Sequence, residues 1–435
     1  MSDIQIQQIL DKANAGQPEA QFLLSQICLQ NRDLSGMLHW LQQASSKGFA
    51  AAQDALGHCY EKGQSISQDF DLALQHYDRA IGGGSELAAF HKAELLYKSR
   101  NASADEAVIR DLLFRAAAAN VVPALRAVGY LAMQQDSGKQ LAIDCFRRAS
   151  LGGDPASSFN LGWCLLQGWA GKGSEPEAAH CLRRAAAAQY PFADELLDSL
   201  DGAQPAVQPQ APFGPIPVDA SLPLFPTRRH VAREIISEDP DASVFEDVLT
   251  TVDRAHLMHL SRPGLRRAHV INPEGGKAGM ASEVRTSMST YLPFAVVDLI
   301  GRYVELKIIS ETGEQLEKSE PMSILRYAPG EFYRPHVDYF DPDLPTTPEL
   351  LEDGGQRTAS AVTYLAAPSA GGGTSFPKLN LSVPAVAGST LWFRNCHADG
   401  RIDDRSLHAG DTVTGGEKWV VTKWFREKPT RYLEH

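Results

Sequence analysis

The stretch LRYAPGEFYRPHVDYFDP, residues 325–342, decides how the second half of this chain folds. Short apolar runs of strand character alternate there with Gly, Pro and Asp clusters of turn character. The same texture continues through ASAVTYLA (359–366), GSTLWF (388–393), SLHAGDTV (406–413) and KWVVTKWF (418–425). Many short strands with few helices between them point to a sandwich or jelly roll. A helical pattern, Ser243 to Leu260, precedes this region.

Within the opening stretch, His336 and Asp338 are two residues apart. On a strand, alternate residues face one side, so both can reach one ion. His408 follows 72 residues after His336 and opens another strand pattern. Two imidazoles and one carboxylate form the facial triad that leaves positions open on non-haem Fe(II). Zinc takes the same ligands for hydrolysis, so the triad alone does not fix the reaction.

Upstream of about residue 200 the pattern changes to a repeat. Ala44, Ala80, Ala116, Ala149 and Ala185 recur at spacings of 36, 36, 33 and 36 residues. Each is followed by a turn and a second small residue: Ala52, Ala88, Ala124, Ala156 and Ala193. Two helices per repeat cannot bury their apolar faces alone, so the units must stack into a solenoid. The motif Ala52, Leu56, Gly57, Tyr60 resembles the Sel-one-like subclass of tetratricopeptide repeats, as do LGWCLLQG (161–168) and Ala73, His76, Tyr77, Ala80. The unit reading Ala93-Glu94 in place of Leu-Gly is degenerate. Between the halves, Gly202 to Pro226 holds seven prolines and almost no charge. It reads as a semi-rigid linker or, from Phe213 on, as an ordered strap along one domain.

The 435 residues carry a net charge of −12, and both halves are acidic, by five charges up to residue 200 and seven after it. Neither half has the basic surplus of a nucleic-acid groove. No run approaches the ~18 apolar residues of a membrane span, and the N-terminus lacks the signal-peptide pattern. Six cysteines without a C-x-x-C pair suit a reducing compartment. The expectation is a multidomain cytoplasmic protein with an N-terminal all-α helical-repeat solenoid over 1–200, a Pro-rich linker over 201–227, and a catalytic domain over 228–435.

The second-half blocks, in order, resemble the prolyl 4-hydroxylase family of Fe(II)/2-oxoglutarate dioxygenases. They are EVRTSMSTYLP (283–293), LRYAPGEFYRPHVDYFDP, GGQRTASAVTYL, GGGTSFP, AGSTLWF and DDRSLHAGDTVTGGEKWVVTKW. The resemblance implies a double-stranded β-helix (jelly roll) with flanking helices. It implies His336, Asp338 and His408 as the iron ligands and Lys418 as partner of the 2-oxoglutarate C5 carboxylate. It places Tyr327, Tyr364 and Thr374 on the co-substrate, and Tyr333, Arg357 and Trp424 along the peptide groove. Fe(II), 2-oxoglutarate and O₂ are the implied cofactor and co-substrates, with ascorbate as reductant and succinate and CO₂ as products. Halogenating relatives lack the carboxylate ligand, so the intact Asp338 implies hydroxylation. The expected substrate is a prolyl-type residue in a protein or peptide held with help from the repeats. A hydroxylase of a free amino acid or small intermediate is the alternative, since Arg357 could serve a carboxylate. An inactive sensor module is a third reading, against which all three ligands and the Lys are retained. His397 reads as a loop residue.

Overall fold

The computed structural model describes residues 3–99, 102–171, 174–200, 214–219, 221–268 and 284–433. The chain divides into two compact units, Met1–Cys181 with Gly202–Leu224, and Leu182–Asp201 with Phe225–His435.

The first unit is built from paired helices, for example Leu34–Ser46 with Ala50–Lys62 and Phe70–Gly82 with Glu86–Lys98. All ten small residues that mark the repeat in the sequence are buried, eight in this unit and Ala185 and Ala193 in the second. Small side chains there let helices approach, and Gly57 shows how tightly. A Cβ at that position would stand 2.8 Å from the ring of Tyr77 on the next helix. Gly129 meets Phe146 at the same 2.8 Å, one repeat pair later. Asp33, Asp69, Ser85 and Asp154 cap helix starts by accepting from backbone N–H groups.

The Pro-rich segment departs from a free linker. Its residues up to 213 lie outside the described residues, but Gly214–Asp219 and Ser221–Leu224 take the strap alternative. Ile216, Leu222 and Leu224 are buried, and the segment groups with the repeats. The other end of the repeat array also differs from the boundary expected near residue 200. Leu182–Asp201 belong to the second unit, where the Tyr190 ring lies 4.8 Å from His259 and the Arg254 guanidinium 5.0 Å over Phe192.

The strands of the second unit, in chain order, are β1 Arg233–Glu238, β2 Asp241–Phe245, β3 Arg266–Arg267, β4 Met288–Leu292, β5 Met322–Tyr327, β6 Tyr333–His336 and β7 Arg357–Ala366. They continue with β8 Ala370–Gly371, β9 Thr374–Phe376, β10 Leu381–Val383, β11 Thr390–Arg394, β12 His408–Gly410, β13 Val413–Gly415 and β14 Lys418–Arg426. Eight form one sheet in the order β1-β2-β11-β7-β14-β5-β4-β3, four a second in the order β10-β9-β12-β6, and β13 pairs with β8. This is the jelly roll, with antiparallel pairing throughout.

Its core is what the period-two alternation dictates. Leu325 and Tyr327, Val362 and Tyr364, Leu391 and Phe393 turn inward from the large sheet to meet Phe376 and Val383 of the small one. The flanking helix begins later than the sequence pattern suggests. Ser243–Phe245 are strand β2, paired with Thr390–Trp392 of β11. The helix runs Thr251–Ser261, started by a capping box between Thr250 and Asp253. Sheet pairing overrides a helical periodicity that continues across the boundary only in the sequence.

Candidate active site

His336 ends β6 and His408 opens β12, and the two stand directly opposite each other in the antiparallel register. Their rings are 4.2 Å apart. Asp338 comes from the bend just past β6, not from the strand itself, yet it reaches the same place. Its Oδ1 is 3.8 Å from His336 Nε2 and its Oδ2 3.7 Å from His408 Nε2. The three donor atoms lie within 4.8 Å of one another.

Neighbouring groups fix how these side chains present themselves. His336 Nδ1 is 2.9 Å from the carbonyl of Arg334, and His408 Nδ1 is 2.9 Å from that of Ser406. A carbonyl only accepts, so each Nδ1 carries the proton and each Nε2 keeps its lone pair for the site. Burial and the adjacent His408 push the His336 imidazolium down, which favours the neutral ring. Burial would raise the Asp338 carboxyl, but His408, His336 and a hydrogen bond from Ser360 together hold it below its usual range. Ser360 Oγ donates to Asp338 Oδ2 at 2.6 Å, and Asn395 Nδ2 donates to Ser360 Oγ at 3.0 Å. Two neutral imidazoles and one oriented carboxylate fit a divalent ion such as Fe(II) with positions left over.

A small cavity of about 50 Å³ adjoins this cluster, lined by Tyr327, Tyr333, Thr374, Lys418, Trp424 and Arg285 among others. Lys418, Val420, Thr422 and Trp424 are alternate residues of β14, so one strand face supplies four walls. Lys418 Nζ donates to the Gly373 carbonyl at 3.2 Å and lies 5.3 and 5.5 Å from the rings of Tyr327 and Tyr364. It is 3% exposed, and burial, opposed by Asp411, pushes its pKa down to about 8. Among the described residues it forms no ion pair. The Tyr364 hydroxyl and Thr374 Oγ1 are 2.8 Å apart.

Tyr333 stacks on His336 with ring centroids 3.5 Å apart. The buried indole N–H of Trp424 has no acceptor among the described residues. Arg357 does not join the cavity wall. Its guanidinium lies 4.0 Å over Trp424, and Nε and Nη2 each donate to Glu320 at 2.7 Å. Arg426 donates to the same carboxylate at 2.9 Å. Arg357 is therefore a backing for Trp424, held by Glu320.

Four residues of the site carry no role in the sequence reading: Arg285, Glu320, Ser360 and Asn395. Arg285 sits inside the RTS block, with its guanidinium 5.2 Å over Tyr333. Ser360 shares the inward parity of Val362 and Tyr364 on β7, a signal that could have found it. For Glu320 and Asn395 no sequence signal exists. His397 lies in a loop, as expected. It comes near Asp239 and Asp403, but Arg405 already donates to both carboxylates at 2.6–3.0 Å and fills that cluster with positive charge.

Residues 322–426 match the 2OG-Fe(II) oxygenase superfamily, and residues 38–49, 50–85 and 155–190 match the Sel1 repeat. Prolyl 4-hydroxylase 1 of Arabidopsis thaliana is 34% identical over 215 residues, which cover 46% of this chain and 74% of that protein. The chain belongs to the prolyl 4-hydroxylase family. Prolyl 4-hydroxylase subunit alpha-3 of Rattus norvegicus is 32% identical over 208 residues, covering 47% of this chain and 36% of that one. A crystal structure of a viral collagen prolyl hydroxylase from Paramecium bursaria Chlorella virus-1, as its 2OG complex, is 25% identical with a TM-score of 0.32, covering 42% of this chain and 95% of that one. Family membership accounts for the block order of the second half. The repeats fall outside the matched oxygenase region. Among the described residues, no helix is long and apolar enough to cross a membrane.

Proposed function

We propose that this chain is a 2-oxoglutarate-dependent dioxygenase that hydroxylates a prolyl residue in a protein or peptide, releasing succinate and CO₂. The observation that carries the reading is the pairing of two features in one cavity. One is the three-ligand cluster with both Nδ1 atoms tied back; the other is a buried lysine that has no carboxylate partner among the described residues. In this reading His336, Asp338 and His408 hold Fe(II), and Lys418 pairs with the C5 carboxylate of 2-oxoglutarate. When bound, these two groups supply the O₂-driven oxidation of a C–H bond, with ascorbate as reductant. The protein's share is to orient and to exclude water. Tyr327 and the Tyr364–Thr374 pair bracket the co-substrate, and Phe393, edge-on to His408 with centroids 4.7 Å apart, keeps that side of the cluster apolar.

Trp424 and Tyr333 are the walls for the substrate, with Arg357 stacked behind Trp424. Their aromatic faces suit a pyrrolidine ring and an extended backbone that loses little entropy on binding. Arg357, already paired with Glu320, is not free for the carboxylate of a free amino acid, which favours the peptide reading over the small-molecule one. None of the six cysteines forms a disulfide and five are buried, which supports a reducing, cytoplasmic setting.

The test is succinate formation with and without substrate. Proline-containing peptides are expected to stimulate it more than free L-proline does. Trp424→Ala is expected to abolish that stimulation while uncoupled 2-oxoglutarate turnover stays measurable. Stimulation by free amino acids with peptides inert would replace this reading with the small-molecule one.

A second prediction concerns the neighbour of the carboxylate. Ser360 donates to one oxygen of Asp338, which leaves the other for the metal and favours one-oxygen ligation. Ser360→Ala is expected to weaken Co(II) or Fe(II) binding about 10- to 100-fold, as groups that orient ligands typically do. Ser360→Thr keeps the hydroxyl and should restore it. Equal metal affinity in wild type and Ser360→Ala, by direct titration, would remove the role.

A further inference from the structure

The strap of the first unit is bound by a distinct chemistry. Arg148, from helix Lys139–Leu151, donates to the carbonyl of Gly214. Arg110, from helix Glu106–Ala118, donates to the carbonyls of Asp219, at 3.5 Å, and Leu222. Tyr97, from helix Glu86–Lys98, donates its hydroxyl to the carbonyl of Leu224 at 2.7 Å. The strap thus runs backward across successive repeats. Ile216, Leu222 and Leu224 are buried along it, whereas Pro215 and Pro217 are exposed.

Among the described residues, every hydrogen bond from the repeats to this strap runs from a side-chain donor to a main-chain carbonyl. The strap N–H groups that are used stay within the strap, as from Leu222 to the Asp219 carbonyl and from Ser221 to the Asp219 carboxylate. A surface that asks only for carbonyls and spaced apolar side chains makes no use of N–H groups. Proline residues have lost theirs but keep the carbonyl, and they hold the backbone extended at low entropic cost. Two of the donors are also held from within the repeats: Arg110 by Glu106 at 2.6 Å and Arg148 by Asn120 at 3.4 Å.

We infer that this surface of the repeats reads proline-rich peptides with leucine-type anchors, and that the strap, which turns at Asp219–Leu222, is its resident intramolecular ligand. Leu222-Pro223-Leu224 is the anchor segment. Tethering gives the strap an effective concentration of millimolar order, so a free peptide of similar affinity competes poorly with it. A partner reaches the surface only when the strap is weakened or when the partner binds much more tightly. The inference stands apart from the catalytic reading, because its readout is binding.

The experiment uses the full chain and a fluorescent peptide, Pro-Pro-Leu-Pro-Leu-Pro-Pro, which keeps the anchor spacing in a frame of prolines. Leu222→Ser with Leu224→Ser, which releases the strap, is expected to bind this peptide about 100-fold more tightly than wild type does, the factor for losing an internal competitor of millimolar effective concentration and about 10 μM intrinsic affinity. Adding Arg110→Ala to that variant is expected to weaken binding about 10- to 100-fold, the range for a charged donor lost from a carbonyl. A folded double variant that binds no better than wild type, or that is indifferent to Arg110→Ala, overturns the inference and leaves the strap a covalent brace. Should the double variant not fold, hydrogen exchange of the wild type decides. Peptide supplied well above the strap's millimolar effective concentration is expected to speed exchange at the Ser221 and Leu222 amides, which bond within the seated strap, and unchanged exchange there overturns the inference equally.

Discussion

Asp338→Ala is expected to abolish 2-oxoglutarate-dependent succinate formation and to reduce Fe(II) or Co(II) affinity by at least about 100-fold, since even groups that only orient ligands are worth 10- to 100-fold. The carboxylate is the one anionic donor between two neutral imidazoles, so its removal leaves the cation without charge compensation. His336→Ala and His408→Ala should behave alike, because the two rings face each other across β6 and β12 and neither has a substitute nearby among the described residues. The loss is separable from misfolding. Wild type should gain thermal stability with added Co(II), by about 2.7 kcal/mol at a hundred times Kd, whereas the variants should melt at one temperature with or without metal. Asp338→Ala protein that keeps a metal-dependent melting shift and full turnover would show that the cation is held elsewhere.

What the sequence made legible follows from how local each signal is. His336 and Asp338 are two residues apart, and Lys418 lies ten residues after His408, so block order alone brought them together. The repeat was legible because ten buried small residues recur at nearly constant spacing. The strap's course was not, since proline content describes stiffness and not what the chain lies against. The start of the helix at Thr251 is not legible because Ser243–Phe245 owe their strand state to β11, nearly 150 residues away. The resemblance assigns Arg357 to the groove, and its pairing depends on Glu320, which approaches from before β5. Long-range register and ion pairing decide these details, and neither leaves a periodic trace.

Lys418→Met is expected to separate two effects that the wild-type residue holds in opposition. In the co-substrate-free protein the charged ammonium sits in a buried site with no carboxylate partner among the described residues, and burial lowers its pKa to about 8. The folded pKa therefore lies below the unfolded value of about 10.4. For a lysine this sign means a penalty on folding that is complete below about pH 8 and fades as pH rises toward the unfolded value. Replacing the ammonium with an apolar chain of similar length should thus raise the melting temperature of the free protein at pH 7. The same change should raise the 2-oxoglutarate requirement about 30- to 150-fold, the cost of a charge-assisted contact to a carboxylate. The pH profile supplies an independent check. Carboxylate binding needs the ammonium, so wild-type affinity for 2-oxoglutarate should hold below about pH 8 and fall above it, by up to tenfold per unit. In Lys418→Met that fall should vanish, and in Lys418→Arg it should move beyond the accessible range because guanidinium stays charged. An unchanged requirement in Lys418→Met would assign the C5 carboxylate to another cation, with Arg285, on the same cavity wall, the first to test.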